Sequence, residues 1–313
     1  MALEFSIYDA LVTAIAVMLL GCSFGIPAVA FLSELTGIIR QKVFMDKFAK
    51  QAARLGLLFI YSILLGVAGA WTISIYYFDN PGPWIKYDTF WNFNLYLCLL
   101  AAGLFSLYFF LWDKLKKIKS FHLFLGALAV LSVKIFLILL FWAFYRELMV
   151  IPEVIPGLDS IFLPILTQIF IISLSGGAAL TLVYLLARRN RDDFGRDYYR
   201  FALGFGAKWA LFFTLASPLT CVWLYLVMDN GFDFTYTAVP GAIYAFAVIL
   251  TALVLWRIIK SDQPLRNKVA ITLCPVLIWI VFIFRLVSYL EFANMISEEP
   301  VMHTFVRDWP VLF

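Results

Sequence analysis

The stretch "FHLFLGALAVLSVKIFLILLFWAF" (residues 121–144) decides the fold class of this chain. Apart from His122 at its start and Lys134 near its middle, the run has no ionisable side chain. About 20 apolar residues in succession are enough for a helix to cross the hydrocarbon core of a bilayer. The stretch therefore predicts a transmembrane helix, with a lysine placed where a charge is costly.

The rest of the chain has the same character. Hydrophobic residues make up 64% of the sequence and charged residues only 14%, whereas a soluble domain carries about 25% charged residues. Runs long enough to span a bilayer occur at residues 10–35, 53–78, 89–112, 121–147, 161–187, 202–228, 236–258 and 268–295. We predict an all-α, polytopic membrane protein with about eight transmembrane helices arranged as two four-helix bundles. Residues 1–313 would form a single transmembrane domain with halves 1–155 and 156–295 and an external tail at 296–313.

The distribution of basic residues predicts the orientation of these helices. Most of the 24 Lys and Arg residues lie in the first, third, fifth and seventh connections. Because cytoplasmic loops are enriched in Lys and Arg, both termini should be external. The expected location is a bacterial or archaeal cytoplasmic membrane. This bias explains the net charge of +4 without a nucleic-acid partner, and none is predicted.

Several ionisable residues fall inside or at the ends of the predicted spans. A charge at the bilayer centre costs about 2.5 kcal/mol or more, so each needs a compensating role. The candidates for a proton or ion path are Lys134, Lys208, Arg285 and Glu34. For Lys134 the alternative is pairing with a carboxylate of a partner subunit. For Lys208 and Arg285, which lie nearer an interface, structural pairing or snorkelling is the favoured interpretation.

Motifs of soluble enzymes are not found in the sequence. It contains no phosphate-binding glycine loop, no HExxH and no nucleophile with a nearby histidine, so no catalytic residue and no metal site are predicted. The two histidines, His122 and His303, would lie on opposite faces of the bilayer and could not share one haem. His122 is interpreted as a residue at the end of a helix.

Three stretches together resemble the first subunit of the cytochrome bd quinol oxidases. The first, "GIPAVAFLSELTGIIRQKVFMDKFAKQAARL", places Glu34 at the end of a helix before a basic loop. The second, "SLYFFLWDKLKKIKSFHLFLGALA", places Trp112 and Asp113 before a histidine that opens the fourth helix. The third, "TQIFIISLSGGAALTLVYLLARRNRDDFGRDYYRFALGFGA", resembles the fifth helix, its basic loop and the sixth helix. The resemblance covers roughly residues 10–215 and implies the bd-type helical architecture.

The ligands that the resemblance implies are not present. The family's first-helix haem histidine corresponds to a position near Ala16, and its fifth-helix histidine corresponds to Ile171. The seventh predicted helix contains neither the family's methionine nor a histidine. The family's glutamates of the third helix fall near Phe93 and Ala101. The weak remaining candidates for cofactor binding are Met18, Glu291 and His303.

The leading hypothesis is a haem-free membrane subunit of a respiratory or electron-transfer complex. It would not be catalytic alone and would be a component of an oxidoreductase complex. The chain would bind no haem itself; it would pack against other membrane subunits, with haem in a partner, and shape a quinone, lipid or proton path. One alternative is a secondary transporter or channel that uses Lys134, Lys208 and Arg285. Another is a quinone-binding anchor for an external cytochrome, with His303 or the outer aromatic loops in contact with the partner.

Overall fold

The computed structural model describes residues 7–77, 88–149, 160, 162–192, 194–227 and 234–296. Within these ranges the chain forms eight long α-helices and one short 3-10 helix, and no strand. The helices are α1 (Ile7–Arg40), α2 (Val43–Tyr77), α3 (Asp88–Phe110), α4 (Lys119–Met149), α5 (Phe162–Arg188), α6 (Arg196–Val227), α7 (Phe234–Lys260) and α8 (Lys268–Ile296). The 3-10 helix, Pro264–Arg266, lies between α7 and α8.

The predicted fold class is confirmed. Each of the eight α-helices in the described ranges contains a segment long and apolar enough to cross a membrane. The chain is therefore a multi-pass helical membrane protein. Many large apolar side chains are exposed on these helices, such as Leu65 on α2 and Leu226 on α6, which are 73% and 74% exposed. Lipid or a partner helix can cover such surfaces, which water could not solvate cheaply.

The helices form two compact units. One contains residues 22–142, which comprise most of α1 with α2, α3 and the larger part of α4. The other contains residues 1–21 and 143–313, which include α5 to α8. In the first unit α2 packs against α3, and the core includes fully buried Phe48, Phe105 and Trp112.

Small residues bring helices close together in the second unit. A side chain at Gly21 of α1 would collide with the Ser173 hydroxyl of α5, so the glycine permits this contact. On α5 the patch Ser175 to Ala179 is buried, and α5 packs closely against α6. Gly21 and the patch Ser175 to Ala179 therefore serve helix packing, which is the usual role of small residues in membrane proteins.

Several predicted features lie outside the described residues. They are the external loops at 78–87, 150–159 and 228–233, and the external tail with His303. Glu291 lies within α8, but its side chain is outside the described part of the structure.

Candidate functional site: a buried ion-pair cluster

Five polar residues from four helices meet in the unit formed by residues 22–142. We call them the Glu34 cluster: Glu34 (α1), Asp46 (α2), Tyr108 (α3), Lys119 and His122 (α4). Each residue lies near the helix end that joins the basic first or third connection. Glu34, Tyr108 and His122 are completely buried. The cluster is thus a set of ionisable groups enclosed by helix ends, not a solvated charge patch.

Two glycines allow the helices to bring these residues together. A Cβ at Gly37 of α1 would lie 3.1 Å from the Cβ of Met45, so the glycine lets the first turn of α2, which carries Asp46, approach α1. The α1–α2 turn is completed by Gln41 with a positive φ of 51°. A Cβ at Gly126 of α4 would lie 2.7 Å from the ring of Tyr108. Gly126 therefore makes the space in which the tyrosine reaches Glu34.

The hydrogen bonds of His122 restrict its protonation. Its Nδ1 atom lies 2.7 Å from Oε1 of Glu34, and its Nε2 atom lies 2.8 Å from the backbone carbonyl of Tyr108. A carbonyl oxygen only accepts, so Nε2 must carry a proton and donate it. The contact at Nδ1 then needs one more proton, held either by the imidazole or by the carboxyl group. The geometry thus fixes one proton between Glu34 and His122.

Glu34 has two further polar partners besides His122. The Tyr108 hydroxyl donates to Oε2 at 2.7 Å, and the Lys119 ammonium lies 3.3 Å from Oε1. The Glu34–His122 pair is neutral as a whole, whichever of the two groups holds the shared proton.

Lys119 links the buried pair to a more exposed carboxylate. Its ammonium lies 2.7 Å from Oδ1 of Asp46 as well as 3.3 Å from Glu34. The side chains of Lys119 and Asp46 are 28% and 31% exposed, whereas that of Glu34 is fully buried. Glu34 and His122 share one proton and Lys119 balances Asp46, so the cluster as a whole is neutral. Such pairing is what makes burial of charged groups tolerable.

Aromatic rings enclose the imidazole. The Tyr108 ring stacks on His122 with centroids 4.6 Å apart, and the Trp112 ring meets it edge-on at 4.8 Å. The Lys119 ammonium lies 5.5 Å from the centroid of the Trp112 ring, within cation–π range. These rings exclude water from the ion pair, which strengthens its electrostatic interaction.

A second polar region lies among α5 to α8 in the other unit. We call it the Tyr244 cluster: Gln168, Ser217, Thr220, Cys221 and Tyr244. The Tyr244 hydroxyl bonds Ser217 at 3.0 Å and accepts from Gln168 at 3.3 Å. Thr220 and Cys221 both donate to the Gln168 amide oxygen. At 1.5 Å per residue, these residues lie about 24–38 Å along their helices from the helix ends that join the basic connections.

The structure places the residues predicted for a proton or ion path in different environments. Glu34 is buried in the cluster described above. Arg285 is only 9% exposed, and its guanidinium lies 5.8 Å from the Tyr244 ring centroid. Lys134 and Lys208 lie on exposed surfaces of α4 and α6. A role of any of the four in transport stays a prediction.

The described side chains do not fit a haem. His122 is the only histidine in the described ranges, and both its ring nitrogens are engaged. Ala16 and Ile171, at the positions where the resemblance implies histidines, offer no donor atom. Met18 is partly buried on α1, but a lone thioether is a poor substitute for the strong axial ligands that haem proteins use. The part of the chain that is described also contains no group of three or more metal-ligating residues.

Comparisons with known proteins support the architecture. No family model matches the sequence, and no curated protein matches it. Among solved structures, the fold is similar to a chain in the bd oxidase structure from Geobacillus thermodenitrificans, with a TM-score of 0.63 and 12% sequence identity. The superposition covers 92% of this chain and 87% of that chain. The chain therefore has a bd-oxidase-like fold over nearly its whole length.

The Glu34 cluster contains partners that the sequence did not reveal. The sequence singled out Glu34 and His122 separately, but not their pairing. Asp46, Tyr108 and Lys119 were not candidates at all. The available signal was the position of all five residues next to the first and third connections, which neighbouring antiparallel helices bring to the same end.

Proposed function

We propose that this protein is a haem-free membrane subunit of a respiratory or electron-transfer complex, and that it packs against a redox-active partner. The fold similarity to a bd oxidase chain supports the class of complex. The similarity covers 92% of this chain and 87% of that chain, so it is not limited to one shared helix hairpin.

The observation that carries the haem-free part of the proposal is the environment of His122. A histidine that binds iron needs one unprotonated ring nitrogen directed at the metal. In this chain both nitrogens of His122 are engaged, by Glu34 and by the Tyr108 carbonyl. The redox centres of the complex would then lie in a partner polypeptide, and quinone or lipid are the candidate ligands of this subunit.

Within that complex, we assign the Glu34 cluster a role in holding a proton near one end of its unit. The exposed fraction rises from the Glu34–His122 pair to Lys119 and Asp46, so protons have a graded route from solvent to the buried pair. Carboxyl, imidazole and phenol groups in hydrogen-bond contact can exchange protons, and this is the chemistry that we assign to the cluster.

The transporter hypothesis is less well supported by the placement of its cations. Of its three cations, Arg285 is buried, whereas Lys134 and Lys208 lie on exposed helix surfaces. Charges on such surfaces are suited to pairing with a partner subunit. We therefore keep the complex subunit as the proposal.

The test is purification of the tagged chain from its native membranes in a mild detergent. We expect a complex with at least one further membrane polypeptide, whose reduced-minus-oxidised visible spectrum shows haem bands. Dissociation of the tagged chain should leave the haem with the partner. A tagged chain that purifies only as a colourless monomer or homo-oligomer would refute the proposed membership in a redox complex.

A further inference from the structure

A cavity of about 760 Å³ opens at one end of the α5–α8 unit. Its walls come from the α5–α6 connection, the first turns of α6, the α7–α8 connection and the start of α8. Arg188, Arg196, Lys260 and Lys268 mark the corresponding limits of the four candidate membrane spans. The cavity therefore lies at the level where the membrane-spanning helices end and lipid headgroups begin.

The charge of the cavity is strongly positive. Its lining includes five cationic side chains and a single carboxylate: Arg189, Arg196, Arg200, Arg266, Lys268 and Asp262. The carboxylate is already engaged, because Arg200 and Asp262 form an ion pair at 2.5 Å. Among the residues described, no carboxylate lies within ion-pairing distance of the other four cations. Among the described lining residues, the cations thus outnumber the carboxylates by four.

The walls of the cavity are held in place by contacts that do not involve the four cations without a carboxylate partner. Arg188 binds Asp192 through two hydrogen bonds of 2.5 and 3.0 Å, and the Tyr199 hydroxyl donates to the Asp192 carbonyl. The 3-10 helix packs against α6, with Pro264 buried. The cavity is therefore a shaped feature of the fold and not a chance gap between loose loops.

In the basic connections of the other unit, only some of the cations are paired with carboxylates. There Lys50 and Lys116 both bind Asp113, and Lys119 binds Asp46 and Glu34. Enrichment in Lys and Arg is expected of any cytoplasmic loop, so positive charge alone would carry no meaning. The distinguishing feature of the α5–α8 end is that, within the described ranges, three arginines and a lysine around a concave space have no carboxylate partner.

The chemistry of the lining selects phosphate among anions. Arginine presents a planar fork of donors that matches phosphate oxygens. The first turns of α6 and α8 line the cavity, and helix N-termini carry unpaired N–H groups and a positive dipole end. Basic pockets between membrane helices are a known mode of binding phospholipid headgroups. The volume exceeds what a single inorganic phosphate would fill.

We propose that this cavity binds a phosphate-bearing anion, held by Arg189, Arg196, Arg266 and Lys268. The ligand chemistry is shared by the headgroup of an anionic phospholipid and by a soluble polyphosphate. The site is independent of the redox complex proposed above, because it depends only on residues of the α5–α8 unit.

The experiment measures ligand binding by native mass spectrometry of the delipidated full-length chain in detergent. The probes are cardiolipin, phosphatidylcholine and inorganic pyrophosphate. The test variant is Arg196→Gln with Arg266→Gln, and the control is Arg40→Gln with Arg191→Gln. The control arginines are exposed and lie outside the cavity lining. A third variant, Arg196→Lys with Arg266→Lys, keeps the charge but removes the fork.

We expect the wild type and the control to bind a phosphate probe, and the glutamine variant to bind it about tenfold or more weakly. The lysine variant should lie between them. Preference for cardiolipin over pyrophosphate identifies a lipid site, and the reverse preference identifies a site for a soluble polyphosphate. Equal binding by the test and control variants, or no preference for cardiolipin or pyrophosphate over zwitterionic phosphatidylcholine in the wild type, would overturn the proposal.

Discussion

The buried polar groups of the Glu34 cluster and of the Tyr244 cluster are paired in two different ways. In the Glu34 cluster, charges of both signs neutralise each other at helix ends. In the Tyr244 cluster, hydroxyl, amide and thiol groups satisfy one another inside membrane-spanning helices, beside the cation Arg285. Truncation of a charged member strands a buried charge, whereas truncation of a neutral member removes a hydrogen bond. The two clusters should therefore differ clearly in sensitivity to mutation.

The largest effect is expected for the Glu34–His122 pair. Glu34→Gln or His122→Gln should each lower the free energy of unfolding by about 3–5 kcal/mol, since each removes one member of a fully buried pair and leaves the other with fewer polar partners. The double variant should lose less than the sum of the two, because neither charge then remains. Denaturant unfolding in detergent micelles measures the cycle. Additive losses would mean that the two residues do not form the ion pair described.

The next effect is expected at Gly126, which makes room for Tyr108. Gly126→Ala places a Cβ 2.7 Å from a fully buried ring and should destabilise the protein by about 1–3 kcal/mol. Gly103→Ala is the matched control, because a methyl group added at this position of α3 would have no atom within 4 Å. That control should be neutral or slightly stabilising, as alanine favours helix. Equal melting temperatures for the two variants would contradict this packing.

A smaller effect is expected in the Tyr244 cluster. Tyr244→Phe removes a hydroxyl that bonds Ser217 and Gln168 and should cost about 1 kcal/mol, the usual range for hydrogen bonds within membranes. Tyr96→Phe is the control, since Tyr96 is 68% exposed on α3. The same unfolding assay compares them. A loss at Tyr244 as large as that at Glu34 would remove the contrast between the two clusters.

The smallest effect is expected at the surface ion pairs of Asp113. Lys116 and Lys50 donate hydrogen bonds that lower the pKa of Asp113 to about 2 from its ordinary value of 3.8. A lowered pKa in the folded state stabilises the protein above the ordinary value, and this stabilisation is lost as pH falls through about 2. Because the side chain is 60% exposed, Asp113→Asn should cost only about 0.2–1 kcal/mol. The difference between wild type and Asp113→Asn should vanish near pH 2 or in high salt; a difference that persists there would exclude an electrostatic origin.

The architecture could be predicted from the sequence because the solvent of this protein is lipid. Eight long apolar runs leave little choice of secondary structure in a membrane, where backbone groups must pair within each segment. Three stretches, in their order along residues 10–215, together suggest a bd-type fold, and the structural similarity supports it. Helix ends were less predictable: α2 begins at Val43, ten residues before the predicted run at 53–78, because a helix can extend beyond the hydrocarbon with polar residues.

The Glu34 cluster could be predicted only in part. The free-energy cost of a charge within the membrane indicates each such residue separately, and Glu34 was one of those residues. It does not tell which groups meet, because the pairing depends on the rotation of each helix about its axis. Gly37 and Gly126 set two of the close approaches, and nothing in the local sequence distinguishes them from other helix glycines. Lys134 lies near the middle of a predicted span, where a charge is costly. It nevertheless lies on an exposed surface of α4, because the rotation of the helix about its axis determines which of its side chains are buried.

The measurement that tests the account most directly is the haem content of the isolated polypeptide. The purified chain, separated from all partners but still folded by circular dichroism, is assayed by pyridine haemochrome spectroscopy. The account predicts far less than one haem per chain, because His122 is held between Glu34 and the Tyr108 carbonyl. One or more haems per chain that survive the separation would contradict it.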